Sequence, residues 1–381
     1  MSGTTPSPAA AGPAFGHRPA LDGVRAVAVL AVVLFHAAPL GDWHLDGGFI
    51  GVDIFFALSG YLITTLLLRE WTSSGRIRLG AFWARRVRRL VPALVVVLTV
   101  SLVAVALLFQ WDDVAANRNE ALASLFYVSN WYTLATDPPY FTLFQHTWSL
   151  AIEVQFYAVW PLVAIVVLGA HGRRLPPDLE QERSGARRLL LVSILAAAAS
   201  TAWMAWLHTD AASIGRVYFG TDTRATPILL GCACAAAVTA WGDVPGGGAR
   251  VVLDAAGWVA LAGLVAACVV VRRPSSALYE GGYLVISALA VVLVASAAHP
   301  SPATLTRALA VTPLRLLGLI SYGVYLWHWP VFYLASANRL HLSGLVLLAV
   351  QLAITIGLAT ASYLIVETPI RQRRWPFTRA R

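Results

Sequence analysis

Ten apolar runs dominate this chain, near residues 23–40, 48–68, 90–110, 147–169, 188–207, 224–241, 252–271, 282–298, 313–335 and 343–366. Each is long enough to cross a bilayer as a helix. In hydrocarbon every backbone N–H and C=O must be satisfied internally, so runs of this kind are confined to helices. The predicted fold is all-α: a polytopic transmembrane helix bundle of about ten spans. Composition agrees, with 58% hydrophobic and only 12% charged residues, whereas soluble domains are about a quarter charged. All 28 basic residues are arginines, and the net charge of +9 is spread through short loops between apolar runs. No nucleic-acid partner is expected from that distribution; the lipid bilayer is. Cys232, Cys234 and Cys268 fall inside apolar stretches without disulfide or zinc spacing, which makes them packing residues.

Charge orients the bundle. The stretch 120–136 is less apolar and is interrupted by Ser129, Asn130 and Thr133. If it does not cross, both termini lie on one side, and 22 arginines face the cytoplasm against 6 outside (Arg118, Arg216, Arg224, Arg272, Arg273 and Arg339). That asymmetry follows the positive-inside rule. If it does cross, the loop carrying Arg173, Arg174, Arg183, Arg187 and Arg188 is exported. The expectation is therefore ten spans, both termini cytoplasmic, with 120–136 interfacial or re-entrant. The first run carries a histidine and lacks a compact basic start, so it reads as a retained span rather than a cleaved signal. The Ala/Pro/Gly/Ser-rich residues 1–20 are expected to be a disordered cytoplasmic tail, and 372–381 a basic cytoplasmic tail.

Within the first run, Arg25 and His36 stand eleven positions apart. At about 100° per residue they return to within roughly 20° of one direction, about 16 Å apart along the axis. A group titrating near neutrality is thereby set deep in a span on the same face as a fixed cation, and intramembrane ionisable groups are functional by default. A neutral imidazole is suited to take a proton from a hydroxyl, the general-base step of acyl transfer. In ARRVRRLVPAL (84–94), Arg86 and Arg89 share one helix face, as do Arg85 and Arg88, beside the entry of the third span. Guanidinium groups in that arrangement suit phosphates, although simple membrane anchoring also accounts for them.

HTWSLAIEVQFYAVWPL (146–162) places Glu153 two turns into a span, where a carboxylate must be paired, protonated or facing a polar cavity. It is a candidate to orient the imidazole or to bind acceptor hydroxyls, with Gln155 in the same cavity. Asp53 lies in GGFIGVDIFFALSGYLIT (47–64), where Ser59 and Gly60 suit close helix packing. SYGVYLWHWPVF (321–332) carries Tyr322, Tyr325 and His328 towards the outer surface, as a substrate wall or an interface belt. Asp53, Tyr325 and His328 are the candidate acceptor-site residues. Glu367 is placed to pair with nearby arginines. No metal-ligand spacing, phosphate-cradling glycine loop or nucleophile elbow is present.

Together these segments resemble the acyltransferase family 3 integral-membrane proteins, from about Leu21 to Arg371. Arg25 and His36 match the family's basic residue, ten intervening residues and histidine; Arg86 and Arg89 match its Arg-x-x-Arg. GVDIFFALSGYLI, TWSLAIEVQFY, ISYGVYLWHWPV and VETPIR match further blocks in order. The resemblance implies a membrane acyltransferase domain over 21–371 that moves an acyl group, often acetyl, from acyl-CoA to a hydroxyl. The acceptor would be a surface polysaccharide, a glycolipid or a macrolide-type metabolite, and the membrane a bacterial plasma membrane. It implies His36 as an essential catalytic residue and Arg25, Arg86 and Arg89 as the acyl-CoA site, with acyl-CoA as co-substrate and no permanently bound cofactor; Glu153, from its place in the span, is the second candidate catalytic residue. Val154 departs from the family, many members having a second acid after the position of Glu153. Some members carry a fused extracytoplasmic hydrolase-like domain; its absence from these residues leads to the expectation that acceptor choice lies in the membrane region. A transporter or flippase of a glycosylated lipid would also need buried charges, but no internal repeat relates the two halves.

Overall fold

The computed structural model describes residues 18–37, 45–108, 111–136, 142–170, 175–210, 213–273 and 275–372, with 111–116 as backbone only. The tails at 1–17 and 373–381, and Arg173 and Arg174, lie outside the described residues. The helices follow in order: α1 (Pro19–His36), α2 (Gly51–Ser74), α3 (Leu79–Leu108), α4 (Trp111–Leu125), α5 (Ser129–Thr136), α6 (Trp148–Leu168), α7 (Leu179–Leu207) and α8 (Ile214–Phe219). The second half holds α9 (Thr226–Trp241), α10 (Gly248–Val270), α11 (Tyr283–Ala298), α12 (Thr304–Leu309), α13 (Thr312–Leu334), α14 (Ala337–Leu340), α15 (Gly344–Ser362) and α16 (Thr368–Arg371).

Among the described residues each of the ten apolar runs is helical over most of its length. Eight stretches among the described residues are long and apolar enough to cross a membrane: α1, α2, α3, α6, α7, α10, α11 and the continuous α15–α16 unit. The other two are buried among them for stated reasons. At 16 residues α9 is short, and it is wedged between α2 and α7. The 23-residue α13 is diluted by Tyr, Trp and His, and it is wedged between α1 and α15. The protein is a multi-pass membrane bundle.

Residues 120–136 do not form one continuous helix. The chain breaks between α4 and α5 at Tyr127, whose φ of 54° lies in the left-handed region. The break is held from α6: the Gln155 amide donates to Tyr127 O (2.9 Å) and Asn130 Oδ1 (3.0 Å) and accepts from Thr221 Oγ1 (2.6 Å). Gln155 therefore fastens a bend instead of lining a cavity with Glu153. Nearby, Glu120 accepts from the Phe144 N–H (2.9 Å) and the Thr142 hydroxyl. Burial pushes its carboxyl up to about 7, against the pull of those two hydrogen bonds.

Two helix pairs approach closely because glycine leaves room. Gly60 of α2 lies against the Ile228 carbonyl of α9, and Gly231 of α9 lies against the Ala57 carbonyl of α2. Gly318 of α13 meets the Asp22 carbonyl of α1, where a Cβ would collide with backbone. This second contact brings the face of α1 that carries Arg25 and His36 onto α13.

Candidate active site

Arg25 and His36 do share a face of α1, and α13 supplies a partner to each. Arg25 donates from Nε to Ser321 Oγ (3.1 Å), and His36 Nδ1 lies 3.1 Å from His328 Nε2. Ser321 and His328 are two helical turns apart on α13.

The hydrogen bonds assign the tautomers. His328 Nδ1 lies 2.6 Å from the Tyr325 carbonyl and 3.2 Å from that of Val324, so Nδ1 carries the proton of the neutral ring. Its Nε2 must then accept, which makes His36 Nδ1 the donor. His36 Nε2 is left with the lone pair. His328 therefore stands behind His36 and is fully buried; it lines neither of the cavities described below and is not an acceptor wall. Tyr325, expected near the outer surface, is also buried, hydrogen-bonded to Ser149 Oγ (2.6 Å) and to the His146 carbonyl (2.7 Å). Tyr322 donates inward to the Leu90 carbonyl (2.8 Å). Close-packed neighbours from α1, α3 and α6, absent from any local reading, convert this segment from a belt into an interior wall.

Two cavities flank the septum formed by Val52 and Tyr325, which line both. The first, of about 230 Å³, receives Arg25, Arg86, Arg89 and Glu153. Arg86 is 9% exposed, its guanidinium lying 5.4 Å from the Phe82 ring centre and 5.6 Å from that of Tyr157. Arg85, on the other face of α3, instead bonds Glu70 at 3.5 Å. The paired spacing thus separates two cavity arginines from surface ones. The second cavity, of about 410 Å³, is lined by His36, His146, Trp148, Trp329 and Tyr218 among others.

Three sequence expectations change here. Glu153 lies in the arginine cavity, where it accepts from the Tyr157 hydroxyl, which in turn lies 2.5 Å from Ser59 Oγ. The imidazole's partner is His328, not this carboxylate. Ser59 therefore belongs to the cavity as well as to the α2 packing face. Asp53 lines neither cavity: it is fully buried in an ion pair with Arg224 (3.0 Å), whose guanidinium also sits 3.9 Å from the Tyr283 ring centre. Its charge is spent on holding α2 to the segment before α9.

Residues missed in the sequence come from loops and short helices. His146 precedes α6; its Nε2 donates to the Leu326 carbonyl (3.2 Å), leaving Nδ1 without a partner among the described residues. Its place at the start of the HTW run was the available signal. Tyr218 and Phe219 of α8 and Arg273 after α10 also reach the histidine cavity. Although three imidazoles gather here, among the described residues no group of three His, Cys, Asp or Glu is arranged to hold a metal ion.

The profile of the acyltransferase domain of family 3 matches residues 18–367, nearly the whole bundle and both cavities. The chain belongs to the acyltransferase 3 family. It is 36% identical over 367 residues to the peptidoglycan O-acetyltransferase OatA of Listeria monocytogenes, covering 93% of this chain and 56% of that protein. It is 35% identical over 365 residues to the O-acetyltransferase OatA of Staphylococcus aureus, covering 93% and 57%. The chain thus spans a little over half the length of these relatives. No solved structure matches it. As a member of this family the chain holds a membrane-embedded acyltransferase domain.

Proposed function

We propose that the chain transfers an acetyl group from acetyl-CoA to a hydroxyl of a glycan, across the septum between its two cavities. The observation that carries this reading is the pair of cavities meeting at Val52 and Tyr325, with arginines on one side and an unprotonated imidazole nitrogen on the other. Acetyl as the group is supported by the names of both relatives, and a glycan acceptor by the peptidoglycan in the name of the Listeria monocytogenes one. The positive-inside count supports a cytoplasmic arginine cavity.

Acetyl-CoA enters with its phosphates on Arg86 and Arg89, and its arm passes Arg25 towards the septum. An acceptor hydroxyl enters the other cavity and gives its proton to His36 Nε2 as its oxygen forms a bond to the thioester carbon. The C–S bond then breaks, and the proton on His36 neutralises the departing CoA thiolate. The His36 Nδ1–H keeps donating its hydrogen bond to His328 Nε2 throughout, which holds the ring and stabilises the transient imidazolium. Glu153, bonded to Tyr157, offsets the charge of the arginines beside it.

Val52→Trp tests this reading. The indole thickens the septum while leaving the residues at both ends unchanged. Acetyl transfer should fall at least about tenfold, as the thioester is held short of the base by an ångström or more, with acetyl-CoA affinity near parental. Parental transfer in a stably folded Val52→Trp protein would show that the two cavities are not one reaction path.

A further inference from the structure

Outside the histidine cavity lies a third and larger one, of about 650 Å³, lined by Phe35, Tyr218, Phe219, Asp46, Arg272 and Arg273. Four of these residues, Phe35, Tyr218, Phe219 and Arg273, line the histidine cavity as well. The two spaces therefore share a wall, and Arg273 stands in it. Its neighbour Arg272 is neutralised by Asp46 at 3.1 Å. Among the described residues Arg273 makes no ion pair. Its guanidinium instead lies 5.4 Å from the Phe35 ring centre and 5.6 Å from that of Tyr218. Two aromatic faces hold the cation in place without consuming its hydrogen-bond donors.

A fixed guanidinium beside aromatic plates is the chemistry that recognises an anionic sugar: rings stack on the pyranose, and the fork takes the oxygens. We infer that Arg273 forms a subsite for a carboxylate or phosphate group on the acceptor glycan, at the passage to His36. This rests on the acyltransfer reading for the direction of entry, but the subsite itself is defined by binding. An acceptor engaged here lies at the wall shared by the third cavity and the cavity that His36 lines. Selection of anionic glycans is then made before the chemistry.

The test uses the full chain in lipid nanodiscs and three probes: chitotriose, its carboxymethyl ether and its phosphomonoester. Quenching of tryptophan emission reports binding, since Trp148 and Trp329 line the histidine cavity. The charged probes should bind at least about tenfold tighter than chitotriose, as one charge-assisted bidentate contact provides. Arg273→Gln should erase that preference and Arg273→Lys should keep part of it, while acetyl-CoA affinity holds steady as the check on folding. Whichever anion gains more names the group the subsite takes. Equal affinity for all three probes, no binding of any of them, or a preference that survives Arg273→Gln overturns the inference. Binding is read without turnover, so the two readings fail separately. An Arg273-dependent preference in a protein that releases no CoA from acetyl-CoA sustains the subsite and sinks the transferase reading.

Discussion

Acetyl transfer should fall by about 10²–10⁴-fold when His36 is replaced by alanine, the range expected on losing a general base. The bundle should remain inserted and abundant, because His36 closes the last turn of α1 and faces a cavity more than a packed core. The partner residue sharpens the result. His328→Phe keeps an aromatic ring in the buried slot but removes the acceptor of the 3.1 Å hydrogen bond. His36 is then free to rotate or to present the wrong nitrogen. A loss of about tenfold, the scale of one neutral hydrogen bond, should appear in kcat with a displaced pH–rate profile and unchanged acetyl-CoA affinity. Parental turnover in His36→Ala would make the residue a packing group and remove the base from the mechanism.

Loss of both Arg86 and Arg89 to alanine should weaken acetyl-CoA binding by at least about 10²-fold, taking each charged hydrogen bond as about 1.5–3 kcal/mol. The geometry of the site adds a second expectation. Arg86 is clasped between Phe82 and Tyr157, so its planar group is positioned as well as charged. Lysine at both positions should therefore restore only part of the affinity, since a point charge reproduces neither the stacking nor the bidentate fork. The apparent KM for acetyl-CoA at saturating acceptor separates the cases. Arg85→Ala serves as the comparison, because that side chain is half-exposed and bonded to Glu70. A donor constant unchanged in the double alanine variant would return Arg86 and Arg89 to membrane anchoring.

Much of this architecture was legible because each apolar run is contiguous, and a run in hydrocarbon has only the helix available to it. The Arg25–His36 face and the Arg86–Arg89 face were legible for a related reason: both depend on spacing within a single helix. What escaped depends on contacts between segments far apart in the chain. His36 and His328 are 292 positions apart, and Asp53 and Arg224 are 171 apart. The first pair exists because Gly318 admits the backbone of α1 onto α13, a property of one missing side chain. For Glu153 the sequence left several partners open, because depth in a span does not tell which neighbour a side chain meets. Its tyrosine partner lies one turn away on α6, and the imidazole lies beyond the septum. Arg273 stayed hidden because a loop arginine following a span has the same pattern as an anchor. Only the rings of Phe35 and Tyr218, brought from α1 and α8, distinguish it.

In the proposed reaction the donor enters at the arginine cavity, the acceptor at the histidine cavity, and the acetyl group passes between them. Proteoliposomes holding the protein in a single orientation test it most directly, with radiolabelled acetyl-CoA on one face and the glycan acceptor on the other. Labelled glycan should form only when acetyl-CoA is supplied at the face bearing Arg86 and Arg89 and the glycan at the opposite face. Equal labelling with both substrates confined to one face, or labelling only in the reverse arrangement, would contradict the account.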